Sequence, residues 1–320
     1  MLTGVCGVVA AGCIGLVVFS VVYYKLPPID ALTEYRPKIP LRIYTADGDL
    51  IGEFGEERRE FVSIEDIPRH MRLAILAAED NGFYEHSGIE FMGIARAALS
   101  NLLTGSRGQG GSTITMQVAR NFFLTSERSY VRKLYEVALA FKIEQNLTKD
   151  EIFEAYANQI FLGHRSYGFG SAAQTYFGKD LKDLSISEAA VLAGLPVAPS
   201  AYNPIVNMRR ATMRRNYVLG RMHTLGYIDD ITYSAAIAQP IELKKTTAEE
   251  RRTQLQTEDM QAGYVAELAR MMLLPYFKDT IYNQGLNVYT TIRSRDQRIA
   301  SHAVRQNAVA YDRRYGYRGV

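Results

Sequence analysis

The stretch EDNGFYEHSG, Glu79 to Gly88, ends a long apolar run and begins a different kind of segment. Two adjacent carboxylates, Glu79 and Asp80, lead this stretch, and an aromatic pair, a histidine and a glycine follow them. A carboxylate pair near a lone imidazole is typical of a metal site, of a proton-transfer site or of an ordinary helix end. The stretch is compatible with all three, so the side chains that face it from elsewhere in the chain decide between them.

The composition of the chain limits its class. The chain has 320 residues, and 47% of them are apolar, which is enough for a sizeable core and argues against general disorder. The formal net charge of +3 is too small to indicate a nucleic-acid partner. Both cysteines, Cys6 and Cys13, lie in the first apolar segment, so the remaining chain has no disulfide.

The first apolar segment, Leu2 to Tyr24, contains no charged residue. Its length is close to the roughly 20 residues that a helix needs to cross a bilayer. The alternatives are a cleaved signal peptide and a buried core helix, but the segment lacks the basic start and the small-residue cleavage site of a signal peptide. We therefore predict a transmembrane anchor at 1–24, and no Lys or Arg precedes it to set its orientation.

The rest of the chain is organised in three further segments. A connector at 25–60 contains a β-hairpin around the Asp47-Gly48 turn. The main body at 61–240 is helical, and 241–320 begins with a polar, charged stretch and continues with a helix, a strand and a helix. The helices predicted in the body are Met71–Asp80, Ile89–Leu103, Ser112–Phe123, Ser126–Gln145, two helices opened by the capping boxes Thr148–Glu151 and Ser185–Glu188, and Arg209–Gly226.

A glycine-rich approach precedes one of these helices. Gly108, Gly110 and Gly111 lead to Ser112, which we expect to cap the helix. A helix start of this kind presents free N–H groups and suits an anion, a phosphate in particular. The alternative is a capped helix without a ligand. No Gly-Lys-Ser/Thr follows, so the pattern does not indicate a nucleotide site.

Other polar residues in the body are compatible with either a functional or a purely structural role. Arg132 and Glu136 are four residues apart and share a helix face, which suits either a functional cluster or a surface ion pair that contributes little. His86 has no second His or Cys at ligand spacing, so we expect a loop histidine bonded to a carboxylate or to the backbone. The spacing of Phe83 is more typical of a core residue than of a ligand contact. The stretches His164–Lys179 and Ala193–Pro204 are interpreted as turn-rich packing elements.

Four motifs in order carry a resemblance to a known family. EDNGFYEHSG, GGSTITMQ, RKLYE and KDEIFEAYANQIFLG, behind an apolar N-terminal segment, resemble the peptidoglycan glycosyltransferases of class A penicillin-binding proteins, glycosyltransferase family 51. The resemblance covers roughly Ile43 to Met222 and implies a mainly α, lysozyme-like domain. It also implies a chain that continues into a transpeptidase domain, whose Ser-x-x-Lys and Lys-Thr-Gly motifs are absent from the sequence.

The resemblance implies roles for single residues. It makes Glu79 the general base, with Gly88 in its supporting motif. It gives Glu136 a catalytic role, either in orienting basic side chains or in holding a divalent cation, Mg²⁺ or Mn²⁺, and it implies no organic cofactor. Met116 stands where many relatives have Gln, and Phe153 stands where Leu is usual. The residues implied to bind substrate are Asp80, Phe83, His86, Ser112, Thr113, Gln117, Arg120, Arg132 and Lys133.

The chemistry implied by the resemblance suits these residue types. The resemblance implies lipid II and the growing glycan strand as substrates. It also implies a single-pass protein of the inner (cytoplasmic) membrane, whose catalytic domain lies on the outer, periplasmic face. Other cell-wall synthesis proteins are the partners that it implies. An acceptor hydroxyl is a poor nucleophile and needs a base. A pyrophosphate leaving group needs positive charge rather than a strong acid. The two rival functions are a lysozyme-like glycoside hydrolase and a non-catalytic membrane scaffold.

Overall fold

The structure, a computed structural model, divides into two compact units: 1–36 with 60–243, and 37–59 with 244–320. No helix in the described part of the chain is long and apolar enough to cross a membrane. The predicted anchor at 1–24 lies outside the described residues except for 22–24, and the predicted helix Ile89–Leu103 lies largely outside them. The residues described are 22–24, 26–29, 32, 40–55, 58–90, 93, 111–124, 130–244, 261–282 and 285–316.

Helices dominate the described residues, as predicted. The helices are α1 (Arg69–Glu79), α2 (Ile114–Phe123), α3 (Tyr130–Asn146), α4 (Lys149–Gln159), α5 (Phe169–Tyr176), α6 (Ile186–Ala193), α7 (Met208–Thr224), α8 (Asp230–Ala238), α9 (Gly263–Phe277) and α10 (Ser294–Tyr315). The strands are β1 (Leu41–Tyr44), β2 (Leu50–Phe54), β3 (Arg58–Arg59), β4 (Ser166–Tyr167) and β5 (Asn287–Tyr289), and short 3-10 helices occupy Ile64–Asp66, Leu181–Asp183 and Lys278–Tyr282.

Side-chain caps explain where several helices begin. Both predicted capping boxes are present, with Thr148 capping α4 and Ser185 capping α6. The prediction that Ser112 caps α2 is wrong: the N-cap is Thr113, whose hydroxyl accepts a hydrogen bond from the Met116 N–H. Either hydroxyl residue has the chemistry of a cap, and the backbone turns into the helix one residue later than predicted.

The core of the first unit lies between its helices. Helix α1 packs against α6 and α7, whereas α2 packs against α3 and α4. Large side chains that are fully buried between these helices include Phe83, Phe153, Tyr156 and Phe169. Removing one of these aromatic side chains would cost about 3–5 kcal/mol of folding free energy. This packing fixes the C-terminal end of α1, where the carboxylate pair lies.

The second unit is built around a three-stranded sheet with the order β2-β1-β5. The predicted hairpin is formed: β1 pairs with β2 antiparallel, with a bulge between Ile43 and Tyr44. Strand β1 also pairs with β5 in parallel, so the hairpin and the segment after residue 244 form one unit although the sequence separates them. The hairpin turn ties down α10, because the Asp47 carboxylate accepts a hydrogen bond from the Ser294 N–H at 3.0 Å.

Candidate active site

The two carboxylates at the end of α1 have different surroundings. Glu79 is the last residue of α1, and Asp80 is its C-cap. Glu79 Oε2 accepts a hydrogen bond of 2.8 Å from Gln117 Nε2. Glu79 Oε1 is buried and has no hydrogen-bond partner among the residues that the structure describes. Glu79 therefore keeps one oxygen available for a ligand or a proton.

The electrostatic surroundings of Glu79 suit a base. Burial raises the pKa of Glu79 above its ordinary value, because the charged form loses its hydration. The Gln117 hydrogen bond and the guanidinium groups of Arg214 and Arg120 lower the pKa, and the nearby Asp80 raises it. A carboxylate with a raised pKa, once ionised, takes up a proton more readily than an exposed one.

Asp80 locks the loop that follows it. Its side chain is buried, and Oδ2 accepts a hydrogen bond of 3.0 Å from the N–H of Ile114, the first residue of α2. His86 Nε2 lies 3.0 Å from Asp80, while His86 Nδ1 accepts a hydrogen bond from the Gly88 N–H. The ring proton is therefore on Nε2 and is donated to Asp80. Gly88 has a φ of +89°, which a non-glycine residue rarely adopts, and the expected loop histidine is confirmed.

Two residues of the first motif that were predicted to bind substrate do not line the cleft. Phe83 is fully buried and packs against Phe153, with ring centroids 6.0 Å apart. His86 has both ring nitrogens engaged, and its backbone carbonyl accepts a hydrogen bond from Lys149 Nζ. Neither side chain lines the cleft. The Phe83 ring fills the core next to Phe153 and does not reach the cleft wall.

The start of α2 is less open to an anion than the glycine pattern predicts. The Ile114 N–H is used by Asp80, and the Met116 N–H is used by Thr113. Thr113 also donates its hydroxyl proton to the Gly88 carbonyl at 2.6 Å, so this buried residue positions the Gly88 loop and also lines the cleft. Ser112 does line the cleft. An anion at the start of α2 would therefore contact side chains more than free backbone N–H groups. Gly108 and Gly110 lie outside the described residues.

The RKLYE motif forms a buried ion-pair cluster. Glu136 is only 1% exposed, which excludes the surface ion pair. Its Oε2 lies 2.9 Å from Lys133 Nζ, and its Oε1 lies 3.4 Å from Arg132 Nε. Lys133 Nζ also donates to Ser112 Oγ at 2.8 Å, which joins this motif to the start of α2.

The surroundings of Glu136 do not fit a divalent cation. Each carboxylate oxygen faces a positively charged side chain, and a metal ion there would be repelled by both of them. The described part of the chain contains no group of three His, Cys, Asp or Glu side chains that could hold a metal. Of the two roles left open for Glu136, the geometry favours the orientation of Lys133 and Arg132.

A cleft of about 550 Å³ opens at Glu79. Asp80 lines this cleft as well, whereas Arg132 and Lys133 do not line it, and Lys133 reaches it through Ser112. Met116 is buried outside the cleft, so its departure from the family pattern removes no substrate contact there. The other predicted site residues on the cleft wall are Ser112, Thr113, Gln117 and Arg120.

One wall of the cleft was missed by the sequence analysis. Arg214, Tyr217 and Arg221 of α7 line it, together with Pro196 and Val197 from a stretch interpreted as packing. The signal was present, since the three α7 residues follow the i, i+3, i+7 spacing of one helix face. The spacing alone does not show that this helix face lines a cleft, because that depends on how the neighbouring helices pack around α7.

These features define a class of protein: a helical body that holds a shielded carboxylate over a cleft lined by cations. The chain belongs to the Transglycosylase family, whose family model matches residues 47–223. The chain is 47% identical over 309 residues to penicillin-binding protein 1A of Neisseria flavescens, covering 96% of this chain and 38% of that relative. It is 48% identical over 295 residues to penicillin-binding protein 1A of Pseudomonas aeruginosa, covering 92% and 35%.

A solved structure is similar as well. The crystal structure of penicillin-binding protein 1A from Haemophilus influenzae matches with a TM-score of 0.56 and 35% sequence identity. The match covers 88% of this chain and 31% of that one. The chain thus spans less than two fifths of the length of these relatives.

Proposed function

We propose that this chain is a peptidoglycan glycosyltransferase that polymerises lipid II into glycan strands. The observation that carries the proposal is the Glu79 carboxylate, which has a raised pKa and one unpartnered oxygen in a cleft that Arg120 and Arg214 also line. Membership of the Transglycosylase family supports the same reaction.

In the proposed reaction Glu79 acts as the base. The acceptor hydroxyl gives its proton to Glu79 Oε1, while its oxygen forms a bond to the anomeric carbon of the donor sugar. The bond from that carbon to the pyrophosphate oxygen breaks, and its electron pair leaves with the pyrophosphate. Attack from the opposite face inverts the anomeric carbon. Gln117 holds the other carboxylate oxygen and so fixes the direction from which Glu79 takes the proton.

Cations stabilise the leaving group in this proposal. Negative charge grows on the pyrophosphate oxygens, and fixed positive groups stabilise it without having to reorganise. Arg120 lines the cleft, and Lys133 is anchored beside it by Ser112. Glu136 keeps Lys133 and Arg132 in place, and no step requires a metal at Glu136.

The hydrolase alternative finds less support. A glycosidase of this type needs a second carboxylate that is free to act as nucleophile or base. The Asp80 carboxylate is occupied by His86 and Ile114, and the Glu136 carboxylate is occupied by two cations. Neither of these two carboxylates is available for that role, so a hydrolase would have to use Glu90 on the cleft wall.

The test is incubation of the purified protein with lipid II, followed by separation of the products by length. We expect glycan polymer and no new reducing ends from finished glycan. Reducing ends without polymer would identify a hydrolase. Neither product, in a protein whose thermal unfolding is cooperative, would favour the scaffold.

We further propose that residues 1–24 anchor the chain in the cytoplasmic membrane with the body on its outer face, and that part of Ile89–Leu103 dips into the bilayer. The uncharged length of the first segment and the apolar side chains of the second support this. After deletion of 1–24, the remaining protein should still float with liposomes. A complete loss of membrane affinity would refute the role of Ile89–Leu103.

A further inference from the structure

We propose that Tyr156 is a positioning residue for the base: its hydroxyl donates a hydrogen bond to the ionised Glu79 carboxylate from the buried side and accepts one from it after Glu79 has taken up a proton. The proposal rests on the proposed function and gives Glu79 a partner that does not touch substrate. Tyr156 is not part of the cleft wall. Its effect on the reaction therefore passes through Glu79.

Two polar atoms in this part of the core lack partners. Tyr156 is completely buried, and its hydroxyl has no hydrogen-bond partner among the residues that the structure describes. Glu79 Oε1 is likewise buried without a partner among those residues, while Oε2 is held by Gln117. A buried polar group without a hydrogen bond costs free energy, so native proteins nearly always pair such groups. A hydroxyl donor and a carboxylate acceptor have the complementary chemistry to satisfy each other.

Packing places Tyr156 next to the segments that hold Glu79. Helix α4, which carries Tyr156, packs against α2, which carries Gln117. Phe153 lies three residues before Tyr156 and shares its helix face. The Phe153 ring contacts Phe83 in the loop that follows Glu79. This face of α4 therefore lies against both segments that determine where the Glu79 side chain lies.

The charges at the end of α1 act on the hydroxyl. Burial raises the pKa of Tyr156 well above its ordinary value, and the negative charge of Glu79 raises it further. The Arg120 guanidinium lowers that pKa, and the Asp80 carboxylate raises it. Tyr156 therefore keeps its proton at neutral pH and acts as a neutral hydroxyl.

A hydroxyl suits a base whose protonation changes during the reaction, because it is both a donor and an acceptor. While Glu79 is ionised, the Tyr156 O–H points to Oε1. Once Glu79 holds the acceptor's proton, its carboxyl O–H donates to the Tyr156 oxygen, and Tyr156 keeps its own proton throughout. A carboxylate oxygen has two lone pairs, so the buried hydroxyl leaves Oε1 able to meet the acceptor hydroxyl.

The first experiment is a double-mutant cycle on the full chain in detergent, without substrate. Urea unfolding is measured at mildly alkaline pH for wild type, Tyr156→Phe, Glu79→Gln and the double variant. Tyr156→Phe keeps the ring and removes only the hydroxyl. We expect the two substitutions to be coupled by about 10-fold in the unfolding equilibrium constant, the value of one hydrogen bond to a charged group.

Tyr176→Phe is the matched control. Tyr176 is buried in the same unit, but its hydroxyl donates to the Leu162 carbonyl at 2.9 Å. Tyr176→Phe and Glu79→Gln should therefore act additively on stability. If Tyr156→Phe and Glu79→Gln are equally additive, the Tyr156 hydroxyl is a purely structural feature of the core and the proposal is wrong.

The acid limb of the polymerisation rate is the second measurement. A donated hydrogen bond stabilises the ionised carboxylate, so removing the Tyr156 hydroxyl should raise the pKa of Glu79 further. The acid limb should move to higher pH by about one unit, the equivalent of that 10-fold coupling. The rate should recover at alkaline pH with KM unchanged, and Tyr176→Phe should leave the limb in place. An unshifted limb, or a uniform loss of rate at every pH, would overturn the role of Tyr156.

The outcomes separate the two proposals. Polymerisation by the wild type, with additive stability effects and an unshifted acid limb in Tyr156→Phe, refutes the role of Tyr156 and keeps the proposed function. Coupling between Tyr156 and Glu79 in a protein that does not polymerise lipid II refutes the proposed function and keeps the pair.

Discussion

Glu79 and Glu136 lie in the same helical unit, and both carboxylates are shielded from water, but their partners differ. Glu79 ends α1 and accepts one hydrogen bond from the neutral amide of Gln117. Glu136 lies inside α3 and faces the cations of Lys133 and Arg132. Burial raises the pKa of Glu79, because the charged form loses hydration that the hydrogen bond from Gln117 does not fully replace. The buried carboxylate of Glu136 instead forms ion pairs with both cations and holds their side chains in place.

The difference has a consequence for stability. The pKa of Glu79 is higher in the folded than in the unfolded protein, so above the unfolded pKa the ionised Glu79 lowers the free energy of unfolding. Glu136 acts in the opposite direction, because removing it leaves two positive charges close together. The ionised Glu79 thus lowers the free energy of unfolding, whereas removal of Glu136 is expected to lower it.

The largest expected effect is on catalysis by Glu79. Glu79→Gln keeps the shape and the bond to Gln117 but cannot accept the acceptor's proton, so kcat for lipid II polymerisation should fall by about 10²–10⁴-fold. The melting temperature at neutral pH should stay equal or rise. Wild-type activity should fall as the pH drops through the raised pKa of Glu79. A near wild-type rate in Glu79→Gln with the same acid limb would mean that another group is the base.

Glu136→Gln should lower stability, whereas Glu79→Gln should leave stability equal or raise it. The substitution leaves Lys133 and Arg132 without their counter-charge, and both are partly exposed, so we expect a loss of about 1–3 kcal/mol of unfolding free energy. Activity should fall too, because the cations lose their orientation. Urea unfolding and polymerisation are measured on the same preparation. Unchanged stability with lost activity would show that Glu136 takes part in the reaction directly.

A substitution at Gln117 tests how the Gln117 hydrogen bond affects the pKa of Glu79. The Gln117 hydrogen bond lowers the pKa of Glu79, so Gln117→Met should raise that pKa further. The acid limb of the pH–rate profile then moves to higher pH, and the rate near neutral pH falls by about 10-fold, the value of one hydrogen bond to a charged group. At alkaline pH the rate should largely recover. A uniform loss at every pH would indicate that Gln117 contacts substrate instead.

The smallest effect is expected from metal ions. If Glu136 only orients cations, the ratio of wild-type to Glu136→Gln activity should not change as Mg²⁺ or Mn²⁺ is titrated from a chelated sample. Glu79→Gln serves as the control for metal effects on the substrate alone. A ratio that grows with metal concentration would reinstate a cation at Glu136.

Local patterns in the sequence predicted what depends on local physics. The capping boxes at Thr148 and Ser185 place the starts of α4 and α6, because a cap needs only residues three apart. The Asp47-Gly48 turn predicts the hairpin for the same reason, as the turn fixes the pairing of adjacent strands. The loop histidine bonded to Asp80 was also expected from residues close in sequence.

Contacts between distant segments could not be predicted in this way. The choice of Thr113 over Ser112 as a cap depends on where the Gly88 carbonyl lies. The α7 wall depends on how α7 packs against α1, which no spacing within α7 reveals. Phe83 is not such a case, because its spacing already favoured the core, where its side chain lies, and only the family resemblance implied a substrate contact.

The parallel pairing of β1 with β5 has a consequence for the order of folding. Thr290 bonds to the carbonyl of Tyr44, a partner 246 residues earlier in the chain. At a ribosomal rate of about 5–20 residues per second, β1 waits about 12–50 s for that partner. An isolated hairpin is marginally stable, so Leu41 and Ile43 stay unprotected during this interval. The 60–243 stretch is contiguous and can fold meanwhile, so nascent chains should be most vulnerable to aggregation and to proteases at the hairpin.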